Sequence, residues 1–249
     1  MPHKHTLITG GSGLLGSELK KLISGSIAPA HQELDINRER DLMDFCYTHR
    51  PQYFIHCAAL RQDKGGADPE AILTNIIGTA NIALTCTMLD IKLIYISTDY
   101  VYPGTQGPYK ETDPVLPVNK YAWGKLGGEC SVQMMPSDLW LIYRLSFGAE
   151  NFEHMKAVVD QKTSRVRVGM AARAIACSYT KYTGVFNFGT TKPWTVYDYA
   201  VSRGEEVGRI KRAQIGPQIP ADTSLDTTKF YETPQSMIGE KGGIYGNNA

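Results

Sequence analysis

The sequence predicts an α/β protein built on a doubly wound parallel sheet, with a small C-terminal lobe. Three features predict it. Short β-rich runs at residues 6–9, 53–59 and 92–96 are separated by longer helical patterns, the alternation of a parallel sheet with crossover helices. The first run leads directly into a glycine-rich turn and then a helix. The third ends in Ser97-Thr98-Asp99, at the edge of such a sheet where ligands bind.

A chain of 249 residues fits one domain, or one with a small added lobe, and is long enough to bury a sizeable core. Net charge is +1 with acids and bases interspersed, which argues against nucleic acid or an anionic membrane as the main partner. No run is expected to span a membrane, and Met1-Pro2-His3-Lys4-His5 leads straight into a strand without the pattern of a signal peptide. A cytoplasmic protein is the expectation. The five cysteines are scattered with no C-x-x-C, so free thiols are expected and no metal site.

Taken in order, Thr6-Leu7-Ile8-Thr9 is the first strand, and Gly10-Gly11-Ser12-Gly13-Leu14-Leu15-Gly16 the turn into a helix through Leu19, Leu22 and Ile23. Glycines there permit a tight turn, close approach of backbone N–H groups to a pyrophosphate, and close helix–strand packing. The spacing is G-x-x-G-x-x-G rather than G-x-G-x-x-G. Residues 24–30 make a poor second strand, with Pro29 inside it and no convincing acid after it to hold an adenosine ribose. Asp35-Ile36 either lines an adenine pocket or opens a helix over residues 38–49 as its N-cap.

Residues 53–59 read as a buried parallel strand ending in Ala58-Ala59, small enough for a cofactor to lie against the backbone. Residues 69–89 form a long helix carrying Asn75 and Gly78-Thr79. After the strand at 92–96 and Ser97-Thr98-Asp99 comes Tyr121-Ala122-Trp123-Gly124-Lys125, which puts a phenol and an ammonium one turn apart on one side of a helix. Their ordinary pKa values are about 10 and 10.4, and a nearby ammonium stabilises a phenolate, drawing the tyrosine toward neutral-pH proton transfer. Thr98 and its neighbours would hold a carbonyl oxygen in place.

In this reading residues 1–150 bind the nucleotide. Residues 151–240 form a discontinuous lobe, interrupted by a strand at 185–188 that returns to the main sheet, and 241–249 a flexible tail. Trp194 reads as packing. Arg165, Arg167 and Arg173 read either as facing a nucleotide diphosphate or, the favoured reading, as a solvated basic face.

These residues resemble the extended short-chain dehydrogenase/reductase family: Thr9-Gly10-x-x-Gly13-x-x-Gly16, Ala58-Ala59, Asn75 with Gly78-Thr79, the run from Ser97 to Tyr102, and Tyr121-x-x-x-Lys125 followed by Gly128-Glu129. Within that family the chain is similar to the dTDP-4-dehydrorhamnose reductases. The likeness lies in Leu34-Asp35-Ile36, Asp63-Lys64, Arg144-Leu145-Ser146-Phe147, Asn151-Phe152, the run from Thr195 to Ala200 and Ser224-Leu225-Asp226-x-x-Lys229. It runs from about residue 4 to 230, dense to 150 and patchy beyond.

The resemblance implies a Rossmann-like fold and reduction of the C4 ketone of a nucleotide-linked 4-keto-6-deoxy sugar by NADPH or NADH, with a weak lean to NADPH. It implies Tyr121 as proton donor, Lys125 on the nicotinamide ribose, and Thr98 on the carbonyl oxygen. Gly10, Gly13, Leu14, Leu15 and Gly16 would lie at the pyrophosphate, Asp35 and Ile36 at the adenine, and Ala58, Ala59, Leu60, Arg61 and Ser97 along the rest of the cofactor. Asp99 and Phe147 would meet the sugar. Many relatives dimerise through the long helices, here residues 69–89 and 121–133. The family's Asp-Gln-x-Gly-x-Pro-Thr stretch is not found between Lys162 and Ala176, Gln218-Ile219-Pro220 replaces an Arg-Arg-Pro-like element, and the closing helix is missing. The alternatives are an epimerase or dehydratase of the same fold, and a cofactor-binding regulatory subunit without turnover. An epimerase-reductase would want a Cys and a His as a second acid–base pair, and His154 and Cys177 are present without a spacing that commits them. A dehydratase would want a Glu after Asp99, where Tyr100 stands.

Overall fold

In the computed structural model, which describes residues 5–60, 69–152, 154–204, 206–216 and 219–233, β1 (Thr6–Thr9) is buried at all four positions. Continuous burial, without in–out alternation, is what helices on both faces of a parallel sheet require. α1 (Leu14–Leu22), α2 (Glu39–His49) and β2 (Tyr53–His56) follow. A helical rod then runs from Pro69 to Met88 as α3 (Pro69–Ala71), a π-helical segment (Ile72–Gly78) and α4 (Thr79–Met88). β3 (Lys92–Ile96) passes through a 3₁₀ turn (Asp99–Val101) to α5 (Lys120–Gln133) and β4 (Trp140–Leu145). Short elements come next: β5 (Phe147–Gly148), β6 (Lys156–Val158), β7 (Lys162–Thr163) and β8 (Val166–Arg167). α6 (Val168–Ser178), β9 (Gly184–Phe188), β10 (Trp194–Thr195), α7 (Val196–Val201), β11 (Gly208–Ile210) and α8 (Thr228–Glu232) complete the chain.

The main sheet has the order β1-β2-β3-β4-β9, every pair parallel. The poor second strand contracts to one bridge outside β1, where Ile8 N–H donates to Ile27 O at 2.8 Å and Ile27 N–H to Thr6 O at 2.8 Å. Gly25, at φ +73°, precedes it and Pro29 follows, a residue with no N–H for a longer ladder. The chain therefore leaves β1 toward Ile27 on one side and toward β2 on the other. The switch point falls at the C-terminal ends of β1 and β2.

α1 and α6 cover one face of the sheet through Leu15, Leu19, Ala171, Ala172 and Ile175; α2, α4 and α5 cover the other through Leu42, Cys46, Ile82, Cys86 and Val132. α6 thus packs on the main sheet, although its residues fall in the stretch the sequence reading places in the lobe. The rod from Pro69 to Met88 is, by length and composition, apolar enough to cross a membrane, which the sequence reading did not anticipate. Its Asn75, Thr79, Ile82 and Cys86 are buried inside this fold. The lobe consists of small ribbons, β6 with β11, β7 with β10 and β5 with β8, around Ala157, Val158, Val196 and Ala200. Arg61, Asp63, Lys64 and the tail lie outside the described residues.

Candidate active site

The glycine turn connects β1, β2 and α1 by contacts too close for side chains. Gly10 has φ +71°, and a Cβ there would stand 2.6 Å from Ala58 N. A Cβ on Gly16 would stand 2.2 Å from Gly10 O. Around Gly13, by contrast, Gly10 O at 3.2 Å is the one neighbour among the described residues within 4 Å of a built Cβ. α1 has no side-chain cap, so the N–H groups of its first turn, which include Leu14, Leu15 and Gly16, carry no partner supplied by a capping residue. Uncapped amides at a helix N-terminus, reached by a turn without side chains at Gly10 and Gly13, fit a pyrophosphate.

Ala58, Ala59 and Leu60, all half-buried, continue from β2. Asn75 in the π-helical segment clamps Leu60: its Oδ1 accepts from Leu60 N at 2.8 Å, and its Nδ2 donates to Leu60 O at 2.9 Å. Asp35 does not cap α2, whose N-cap is Arg38; its carboxylate accepts from Asn37 N at 2.9 Å. Ile36 is buried, packed where a Cβ on Gly78 would lie, and its carbonyl accepts from Asn81.

Tyr121 and Lys125 lie on α5, whose N-cap Asn119 accepts from Ala122 N at 2.9 Å. Tyr121 is half-buried and Lys125 buried. Lys125 Nζ sits 3.9 Å above the Tyr95 ring, and the Tyr95 hydroxyl donates to Lys125 O at 3.1 Å. A Cβ on Gly128 would stand 2.3 Å from that hydroxyl, so glycine lets helix and strand approach. Burial pushes the Lys125 ammonium down to about 7, opposed by Glu129 one turn further on and by Cys57. Lys125 is thus poised near neutrality at the C-terminal end of the sheet.

Behind it lies a buried polar network. Ser97 donates to Glu129 at 2.5 Å, and the Arg144 guanidinium reaches the same carboxylate at 2.7 Å. Arg144 also donates to the Tyr102 hydroxyl at 2.9 Å and to Glu111 O at 3.2 Å. One carboxylate therefore joins the end of β3 to β4 and to α5, fixing Thr98 relative to Tyr121 and Lys125. Sequence reasoning assigned Glu129, Arg144 and Asn75 no task. The signal available was an arginine inside an apolar strand and a glutamate one turn beyond the lysine.

Asp99 is buried and its carboxylate is taken up by the protein: Thr98 donates to Oδ1 at 3.2 Å and Thr223 to Oδ2 at 2.6 Å. Burial pushes it up to about 6, with Thr223, Thr98 and Arg165 holding it down. Thr98 caps the 3₁₀ turn by accepting from Tyr100 N at 3.3 Å. Phe147, half-buried on β5, packs against the main core.

Beside these residues a cavity of about 560 Å³ opens between the sheet and the lobe. Tyr100 and Ser146, sequence neighbours of Asp99 and Phe147, line it from the sheet side, and Val158, Val196 and Ile210 form an apolar wall. Gln161, also lining, donates to the Tyr100 hydroxyl at 2.8 Å. The Asp-Gln pair sought after Lys162 in fact stands just before it, as Asp160-Gln161. Of the basic run, Arg165 lines the cavity while Arg167 and Arg173 are exposed on the surface.

A glycine cradle at the switch point and a tyrosine–lysine helix facing a strand-end threonine define a dinucleotide-dependent oxidoreductase. The RmlD substrate binding domain family matches residues 4–177, and the chain belongs to it. A dTDP-4-keto-6-deoxy-D-glucose reductase of Streptomyces niveus is 28% identical over 82% of this chain and 81% of its own length. Methionine adenosyltransferase 2 subunit beta of Xenopus laevis is 33% identical over 53% of this chain, and the chain spans 43% of that protein. The crystal structure of a dTDP-4-dehydrorhamnose reductase ortholog of Clostridium acetobutylicum superimposes with a TM-score of 0.80 at 25% identity, over 92% of each chain.

Proposed function

We propose that this chain reduces the C4 ketone of a dTDP-linked 4-keto-6-deoxy sugar, with NADPH or NADH as reductant, in the cytoplasm. When bound, the reduced nicotinamide supplies the hydride. Tyr121 donates the proton that the C4 oxygen takes up, and Thr98 turns its one hydroxyl proton from Asp99 to that oxygen beforehand. Lys125 holds the nicotinamide ribose and stabilises the tyrosinate left behind. Gly10, Gly13, Leu14, Leu15 and Gly16 receive the pyrophosphate, Asp35 and Ile36 border the adenine, and Ala58, Ala59, Leu60 and Ser97 line the middle. Asp99, through its grip on Thr98, and Phe147 border the sugar. Ala28-Pro29-Ala30 after Ile27 offers no carboxylate to a ribose, which favours NADPH. The nucleotide-binding unit is residues 1–150 with α6 and β9, and the rest of 151–240 is the substrate lobe. Two copies pair through the exposed apolar face of Ile72, Leu73, Ile77 and Trp123.

The observation that supports this reading is the buried Lys125 one turn from Tyr121 on α5, a helix tied through Glu129 to Ser97 at the end of β3. The test is incubation with a dTDP-4-keto-6-deoxy sugar and 4-deuterated NADPH. Deuterium appearing at C4 of a dTDP-6-deoxy sugar supports the reduction. A sugar that stays unreduced but, in a parallel run in heavy water, takes up deuterium beside the ketone would point to an epimerase. The likeness to the methionine adenosyltransferase subunit favours a second reading, a cofactor-binding regulatory chain, which predicts tight NADPH binding and no product.

A further inference from the structure

Among the described residues that line the cavity there is no carboxylate, but there are three basic residues, His154, Lys156 and Arg165. His154 and Lys156 are exposed; Arg165 is half-buried. The guanidinium of Arg165 is held without being neutralised. It packs against the backbone of Gly148, where a Cβ would stand 2.8 Å from Nη2, and lies 5.6 Å from the Tyr199 ring centroid. Its Nε is buried with no hydrogen-bond partner. Among the described residues it makes no ion pair with any carboxylate. A desolvated donor left unmatched costs stability, unless an acceptor arrives from outside.

The position of that donor says which acceptor. Arg165 directly precedes β8, whose Val166 pairs with Phe147 on the sugar side, and its charge is felt at Asp99. The apolar wall of Val158, Val196 and Ile210 lies across the same cavity. A ligand that carries an apolar-faced base, an anion and a sugar matches this set of neighbours. In register with Asp160-Gln161, Arg165 also occupies the place where the Asp-Gln-x-Gly-x-Pro-Thr pattern has proline, so the cation is a departure of this chain from the pattern.

We propose that Arg165 anchors the diphosphate of the nucleotide sugar; this rests on the reductase reading for the identity of the sugar, but not for the anion. The guanidinium fork suits paired phosphoryl oxygens, and Arg165 lines the cavity without an ion pair among the described residues.

The experiment is calorimetric titration of the intact protein, and of its R165M and R165K variants, with dTDP, dTMP and thymidine. R165M is expected to lose about 10- to 100-fold in dTDP affinity, less for dTMP, with thymidine and NADPH binding unchanged. R165K should recover part of the loss, since it restores a point charge without the fork. Should R165M not fold, R165K alone must still bind dTDP more weakly than the native protein while binding thymidine equally. Unchanged dTDP affinity, an equal loss for thymidine, or no dTDP binding by the native protein would overturn the assignment. Arg165-dependent dTDP binding without turnover of the keto sugar would leave the anchor standing and remove the reductase reading.

Discussion

The half built on the parallel sheet and the lobe of short ribbons are built on different principles. In the first, charge is matched inside the fold: Glu129, Arg144, Ser97 and Tyr102 satisfy one another within a parallel sheet covered on both faces. In the second, strands of two or three residues surround a cavity, and the two guanidinium groups with buried unpartnered nitrogens, Arg165 and Arg203, both belong to it. The difference teaches where ligand is needed. The sheet half holds its polar groups preorganised, whereas the lobe leaves polar groups unmatched.

Breaking the preorganised half should give the largest effects. Tyr121→Phe is expected to lower kcat by about 10²- to 10⁴-fold with cofactor affinity unchanged, read from steady-state rates and a separate NADPH titration. Lys125→Met should damage both, turnover by about 100-fold and cofactor affinity by about 10-fold. Normal NADPH binding in that variant would remove Lys125 from the ribose. The two glycines differ in degree. Gly16→Val meets Gly10 O at 2.2 Å and should lower Tm or prevent folding. Gly13→Val meets the same oxygen at 3.2 Å, should lower Tm less, and should fail to bind NADPH in the folded variant.

Smaller effects sharpen the boundary between the halves. Asn75→Ala removes both bonds to Leu60 and should cost about 2 kcal/mol by chemical denaturation. Asp99, which ties the sheet to Thr223 near the end of the described chain, is held at about 6, above the ordinary carboxylate value of about 3.9. Between pH 4 and 6 the folded chain therefore keeps a proton that the unfolded chain has released. The stability from that proton is fully present below pH 4 and lost as pH rises through 6. Asp99→Asn should flatten this slope, as followed by urea midpoints across the window.

How much of this was legible in the sequence follows the same division. The glycine turn and Tyr121-x-x-x-Lys125 could be read because their contacts are set by local spacing, one turn of backbone or one turn of helix. The clamp of Asn75 on Leu60 and the pair of Glu129 with Arg144 each join residues 15 apart across different elements, and such partners depend on how helices lie against the sheet. Asp35 looked like a cap for α2 because its type suits that task, yet the helix starts at Glu39 and its carboxylate serves Asn37 instead. In the lobe, ribbons of two or three residues are too short for any period to show. Arg165 was therefore grouped with Arg167 and Arg173, although the turn before β8 sends it to the cavity and leaves them in solvent.

The central claim is that the preorganised half still carries out reduction under this small lobe. Its most direct test is the rate of NADPH and NADH oxidation, followed at the nicotinamide absorbance with dTDP-4-keto-6-deoxymannose generated in situ, for the native protein and Tyr121→Phe. Substrate-dependent oxidation that collapses in the variant is the predicted result. Tight cofactor binding with no substrate-dependent oxidation, or equal rates in the two proteins, would contradict it.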